Sequence, residues 1–216
     1  MLNLKDKLKV FFHPDSKDTT ITKIVKNLNI DFTEYNKIDK LDELRKYLKL
    51  YYGKFEQNID SIYNFAAFTD TGYLGSDIFN FFKEDVKHKC IKENYSNYLI
   101  VFTDGYMYYY DRLMNTNNRY NYIERWADHL LVFRKNNNWE KEFENNDYGF
   151  ISINENFDSL NVLVLGIDPQ EKEDFSILKK YWSKWFKEMK IKNYEFYESS
   201  DVTYIKDLIN NFLNKK

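Results

Sequence analysis

Residues Tyr98 to Phe102 place five apolar side chains in a row without alternation, and the run stops at Thr103-Asp104-Gly105. A short continuous apolar run closed by a turn signal predicts a strand buried on both faces, as in a parallel sheet covered by helices. Asn161 to Ile167, closed by Asp168-Pro169, repeats the pattern. An aspartate at the carboxyl end of such a strand lies where open α/β sheets place their ligands. This constrains the fold class and names a candidate site, but it names no reaction.

The flanking pattern extends this reading. Lys9 to Phe12 is predicted as a first strand, ended by His13-Pro14-Asp15, because proline removes a ladder donor. Thr19 to Leu28 is predicted as a helix, with Ile21, Ile24, Val25 and Leu28 at spacings of three and four. Leu41 to Tyr52 is predicted as a second, with Gly53 as its stop. Ile62 to Phe68 reads as a strand, followed by a helix capped by Ser76 or Asp77 that carries Ile78, Phe81, Phe82 and Val86. Beyond Gly105 the pattern is poor as far as about Leu160, with a short extended piece at Met107 to Tyr110 and a helix at Tyr122 to Leu131. A broad stripe from Phe175 to Met189, a short strand at Tyr194 to Tyr197 and a helix carrying Val202, Ile205, Leu208, Ile209, Phe212 and Leu213 close the chain. Strands alternating with helices predict an α/β fold, a doubly wound and mostly parallel sheet with helices on both faces. The 216 residues fit one domain, with an irregular excursion at about 105–160.

Composition excludes several classes. With 43% apolar and 19% aromatic residues the chain can bury a core, so disorder is not expected. The 32 basic and 34 acidic side chains nearly cancel, which removes the broad positive field that nucleic-acid binding requires. Cys90 is the only cysteine, so no intrachain disulfide forms and a reducing cytosol is the expected setting. No stretch reaches the roughly 18 to 20 apolar residues that a membrane helix needs, and the N-terminal stretch lacks a signal-peptide core. A soluble cytoplasmic protein is expected.

Three polar clusters are expected at one edge of the sheet: His13 to Thr19, Gly75-Ser76-Asp77, and Asp104. Carboxylates and hydroxyls converging there are hard oxygen ligands suited to Mg²⁺ or Mn²⁺. On these residues the chain resembles the von Willebrand factor type A family. That family carries Asp-x-Ser-x-Ser after its first strand, a threonine in a later turn, and an aspartate in Thr-Asp-Gly after a buried strand. Thr103-Asp104-Gly105 matches the last element, and Gly75-Ser76-Asp77 matches the middle one with serine for threonine. The first element departs: Asp15-x-Lys17-x-Thr19 or His13-x-Asp15-x-Lys17 both put Lys17 where the family has a ligating hydroxyl.

The resemblance implies a doubly wound α/β fold and a protein-protein interaction module. Its contact residues would be Asp15, Lys17, Thr19, Ser76 and Asp104. Asp15, Ser76 and Asp104 would be the ligands of Mg²⁺ or Mn²⁺. The Lys17 ammonium would repel such an ion at short range, or take its place beside Asp104 and Asp15. The partner would be another protein, an AAA-type ATPase by the habit of the family in bacterial systems, with no membrane or nucleic acid involved. Usage rich in Asn, Lys, Ile and Tyr fits an AT-rich bacterial genome. The alternative is a metal-dependent hydrolase or phosphotransfer enzyme at the same edge, with Asp70 or Asp168 as a further acid or base.

Other features read as structure. His88 and Cys90 are too solitary for a zinc site. There is no P-loop, nucleophile elbow or glycine-rich dinucleotide turn. Tyr106 to Tyr110 reads as a rim of half-buried rings rather than a nucleic-acid platform. Trp182 and Trp185 lie at helical spacing and are expected in the core, with Lys179, Lys180, Lys184 and Lys187 on a solvated face.

Overall fold

The computed structural model describes residues 5–13, 19–35, 41–67, 75–109 and 113–215. They fall into two compact units that divide between residues 73 and 74.

In the first unit β1 (Lys7–Leu8) pairs antiparallel with β2 (Ile30–Asp31), and α1 (Thr19–Asn27) lies between them in sequence. A 3₁₀ turn (Phe32–Tyr35) and α2 (Leu41–Ala67) follow. Ile30, Phe32 and Tyr51 form the core of this unit, and the Tyr51 hydroxyl donates to the Leu28 carbonyl at 2.6 Å. Burial and the neighbouring tyrosines push the Tyr51 phenol up to about 12.

Two expectations are corrected here. Residues 9–12 hold no strand, and the two-residue β1 beside them joins a small antiparallel pair, not the parallel sheet. Residues 62–67 of the expected strand are the last turns of α2. Tyr51, Phe55, Ile59 and Ile62 stand four, four and three residues apart and are all sheltered, so Ile62, the first residue of the run, continues a helical stripe. Gly53 does not stop the helix. A mid-helix glycine costs only about 1 kcal/mol relative to alanine, and the stripe on either side carries the helix through it.

In the second unit Asp77 caps the short helix α3 (Ile78–Asn80), accepting from the Asn80 backbone N–H at 3.2 Å and from its side-chain amide at 2.9 Å. A π-helical turn (Phe81–Asp85) and α4 (Val86–Lys89) continue it, and Ile78, Phe81, Phe82 and Val86 are buried as their spacing predicts.

Strand β3 (Asn97–Phe102) then enters a sheet with two later strands, β7 and β8. The excursion between carries the hairpin β4 (Asn115–Thr116) and β5 (Arg119–Tyr120), then α5 (Asp128–Lys135), α6 (Trp139–Asn145) and β6 (Gly149–Phe150), which pairs parallel with β5. The expected helix at Tyr122 to Leu131 starts six residues late. Tyr122 and Ile123 are buried in extended chain, and the Ile123 N–H bonds to the carbonyls of Tyr106 and Met107. Tertiary hydrogen bonds there outweigh helix propensity.

β7 (Leu160–Ile167) and β8 (Asn193–Glu198) are joined by α7 (Asp174–Glu188), and α8 (Val202–Asn214) ends the chain. Strands β3, β7 and β8 form a parallel sheet in that order, with Leu99 opposite Val162 and Val164 opposite Phe196. This gives a mixed α/β protein with a parallel sheet at its heart.

Alternation along the strands divides the packing. Leu163 and Leu165 meet Leu208 and Phe212 of α8, with Ile100 and Tyr197 at the margin. Tyr194 and Phe196, of opposite parity to Tyr197, meet Phe186 of α7 at ring separations of 5.5 and 5.7 Å. Trp182 and Trp185 are fully buried, as expected. Val202 and Leu213, counted in the apolar stripe of α8, are exposed: Val202 is the first residue of the helix, and Leu213 is turned about 100° from the buried Phe212. No helix among the described residues is long and apolar enough to cross a membrane.

Candidate functional site at the strand ends

β3 and β7 stay paired past their last regular residues. The Thr103 N–H bonds to the Leu165 carbonyl at 3.0 Å and the Asp168 N–H to the Asp104 carbonyl at 3.1 Å. This sets Asp104 and Asp168 on neighbouring strand ends. The turn after β3 is built by side chains: Thr103 Oγ1 accepts from the Gly105 N–H and Asp104 Oδ1 from the Tyr106 N–H, each at 3.1 Å. Such local bonds are how Thr and Asp close a strand. Gly105 has φ +93, and a Cβ there would meet Ile167 Cγ2 at 3.1 Å, so glycine is required.

The second oxygen of Asp104 accepts from Arg125 Nη2 at 3.0 Å, and Asp168 Oδ2 lies 4.0 Å from the same nitrogen. The Arg125 guanidinium sits 5.3 Å from the centre of the Tyr106 ring, within reach of a cation-π contact. The side chains of Asp104 and Arg125 are 40% and 37% exposed, so the pair is open to a partner molecule.

A buried network supports this pair from beneath. Arg134 grips Asp174 in bidentate fashion, and its Nη2 also donates to the Arg125 carbonyl at 2.8 Å. The Tyr106 hydroxyl donates to Asp174 and accepts from the Gln170 N–H at 3.0 Å. Burial alone would raise the Asp174 carboxyl, but Arg134 and Tyr106 hold it below the ordinary carboxylate range. Burial and the Asp174 bond push the Tyr106 phenol up to about 12. Tyr106 is therefore no half-buried rim ring but a fully buried one with its hydroxyl tied to an ion pair.

The expected site residues divide. Asp104 stands at the strand end as read from the sequence. Ser76 donates its backbone N–H to the Tyr108 carbonyl at 2.9 Å, and no hydrogen bond or ion pair among the described residues joins it to Asp104. Its neighbour Asp77 is a helix cap that also accepts from the Tyr122 hydroxyl. Thr19 is the first residue of α1, in the first unit. Asp15 and Lys17 lie outside the described residues. Arg125, Arg134 and Asp174 were not singled out by sequence. Their partners lie 21 and 40 residues away, and no local pattern announces such a pair.

Mg²⁺ and Mn²⁺ take about six oxygen ligands in near-octahedral geometry. At Asp104 both carboxylate oxygens already accept N–H donors, one of them from a guanidinium. Among the described residues no three His, Cys, Asp or Glu side chains gather as ligands. A backbone N–H and a guanidinium thus hold the Asp104 oxygens that a divalent ion would use. No protein-family model matches the chain, and no curated protein or solved structure matches it.

Proposed function

We propose that this protein is a protein-protein interaction module of von Willebrand A-like, doubly wound design, in which Arg125 stands in for the metal ion. One observation carries the reading: the Asp104–Arg125 pair at the carboxyl end of β3, with Asp168 of the neighbouring strand beside it. In a metal-dependent contact the ion is completed by a carboxylate of the partner. A guanidinium offers a carboxylate one positive charge, half that of a divalent ion, and two parallel N–H donors. Arg125 has donors beyond the one given to Asp104, so an acidic side chain of a partner protein fits the edge. The parallel sheet and its packing against α7 and α8 agree with this architecture.

The reading is tested by capturing partners from the cells of origin with wild-type protein and with Arg125→Glu, each with and without EDTA. A partner retained in EDTA and lost on charge reversal supports it. A partner lost in EDTA, or calorimetric binding of Mg²⁺ or Mn²⁺ that Asp104→Ala abolishes, overturns it.

A further inference from the structure

The β4–β5 hairpin, the chain leading into α5, and Tyr148 line an open surface groove of about 600 Å³. That volume lies in the range of small-ligand sites. Its wall includes the rings of Tyr120, Tyr122, His129 and Tyr148, and its rim carries Glu124 and Asp128. It uses none of the residues of the Asp104 edge.

Three features of this groove converge. The first is aromatic. Tyr120 stacks on His129 with ring centres 4.4 Å apart and planes 14° apart, and Tyr148 lies 6.1 Å from the same imidazole. Tyr120 and His129 cover each other's facing sides, and the outer, electron-rich faces of such rings attract cations. The second is charge. Two carboxylates line the groove, no lysine or arginine among the described residues does, and neither carboxylate is ion-paired among those residues. Anionic guests are repelled and cationic ones are favoured. The third is an orphaned polar atom. His129 Nε2 and the hydroxyl of Tyr181, whose ring lies 6.0 Å from the imidazole, are buried behind the groove wall with no hydrogen-bond partner among the described residues. Buried polar atoms rarely go unpaired in native proteins. Burial pushes His129 down to about 4 against the weaker pull of Asp128, so the imidazole is uncharged at neutral pH and adds no opposing positive charge.

We propose that this groove binds a small organic ammonium ion, held against the Tyr120, Tyr148 and His129 rings and balanced by Glu124 and Asp128. Nucleotides and other phosphorylated ligands are excluded by the carboxylate rim. An uncharged ligand of the same shape gains the apolar contact but neither the ring attraction nor the charge balance.

Choline and its uncharged isostere 3,3-dimethylbutan-1-ol are suitable probes. They are titrated into isotopically labelled protein, following the Tyr120 and Tyr148 ring resonances alongside calorimetry. The expected result is that choline shifts those resonances and binds at least about tenfold more tightly than the isostere. Tyr120→Leu is expected to lower choline affinity about tenfold, and Asp128→Asn, an exposed change that leaves the core intact, to lower it several-fold. Equal affinity for choline and isostere overturns the proposal, as do choline shifts confined to other parts of the protein or no binding at millimolar concentration. A trimethyllysine peptide that binds while free choline does not also overturns it, by assigning the groove to a partner protein.

Discussion

Arg134 and Asp174 form a bidentate ion pair, at 2.7 and 2.8 Å, with side chains 7% and 1% exposed. Removing one partner of such a pair leaves a charge buried without compensation, which costs about 3–5 kcal/mol. Arg134→Met is expected to lower unfolding stability by that amount in urea denaturation. Adding Asp174→Leu is not expected to recover the loss, because it also removes the acceptor of the buried Tyr106 hydroxyl and of the Gln170 and Glu171 N–H groups. Equal stability of Arg134→Met and wild type would contradict this account.

Gly105 joins the strand end to Tyr106 at φ +93, and its carbonyl accepts from Trp182 Nε1 at 2.8 Å. An alanine there meets both an unfavourable backbone region and Ile167. Gly105→Ala is expected to cost about 1–3 kcal/mol and to shift the Trp182 indole N–H resonance. Gly53→Ala, in open space on α2, is expected to be neutral or stabilising. The two substitutions are compared by thermal unfolding, and equal effects would remove the conformational argument.

His129 titrates near 4 in the folded chain against an ordinary 6.5, because it is buried. Between those values the unfolded chain binds a proton that the folded chain does not. Stability therefore falls as pH drops through that window, by up to about 1.4 kcal/mol per pH unit. Below the folded value this contribution levels off. His129→Phe is expected to flatten the profile between pH 6.5 and about 4 relative to wild type. Identical pH profiles for the two proteins would show that His129 is open to water.

Leu165 of β7 is fully buried where α8 packs on the sheet. Leu165→Ala is expected to cost about 2–5 kcal/mol, the range for a leucine lost from a closed core. Leu213→Ala, on the exposed side of α8, is expected to stay within about 0.5 kcal/mol. Chemical denaturation of both separates the buried stripe from the exposed one.

The strands and helices that read clearly share one property. β3 and β7 are short apolar runs bounded by turn residues, β8 alternates aromatic and polar residues over most of its length, and α7 and α8 carry wide stripes at helical spacing. Their pattern is local. Residues 62–67 misled because an apolar run of that length looks alike as a buried strand or as a helix end, and only the stripe from Tyr51 settles it. The start of α5 misled because Tyr122 and Ile123 spend their hydrogen bonds on Asp77, Tyr106 and Met107, which lie far away in sequence. At the candidate site Asp104 was legible because a turn residue after a short apolar run is a sequence signal. Arg125 was not, because its selection depends on a strand end 21 residues earlier.

The amino-acid order by itself determined an α/β chain with a parallel sheet, a rich aromatic core and an aspartate at a strand terminus, but of its strands only β7 is buried along most of its length, while Phe102 of the outer strand β3 is exposed. Hydrophobic periodicity and turn chemistry act over a few residues, so they are written in the chain. Tertiary structure alone decided that Asp104 pairs with a guanidinium, that Tyr106 and Arg134 share Asp174, and that three tyrosines and a histidine line one groove. Those choices follow from which groups meet on folding, where a buried charge or polar atom must find a partner regardless of its distance along the chain.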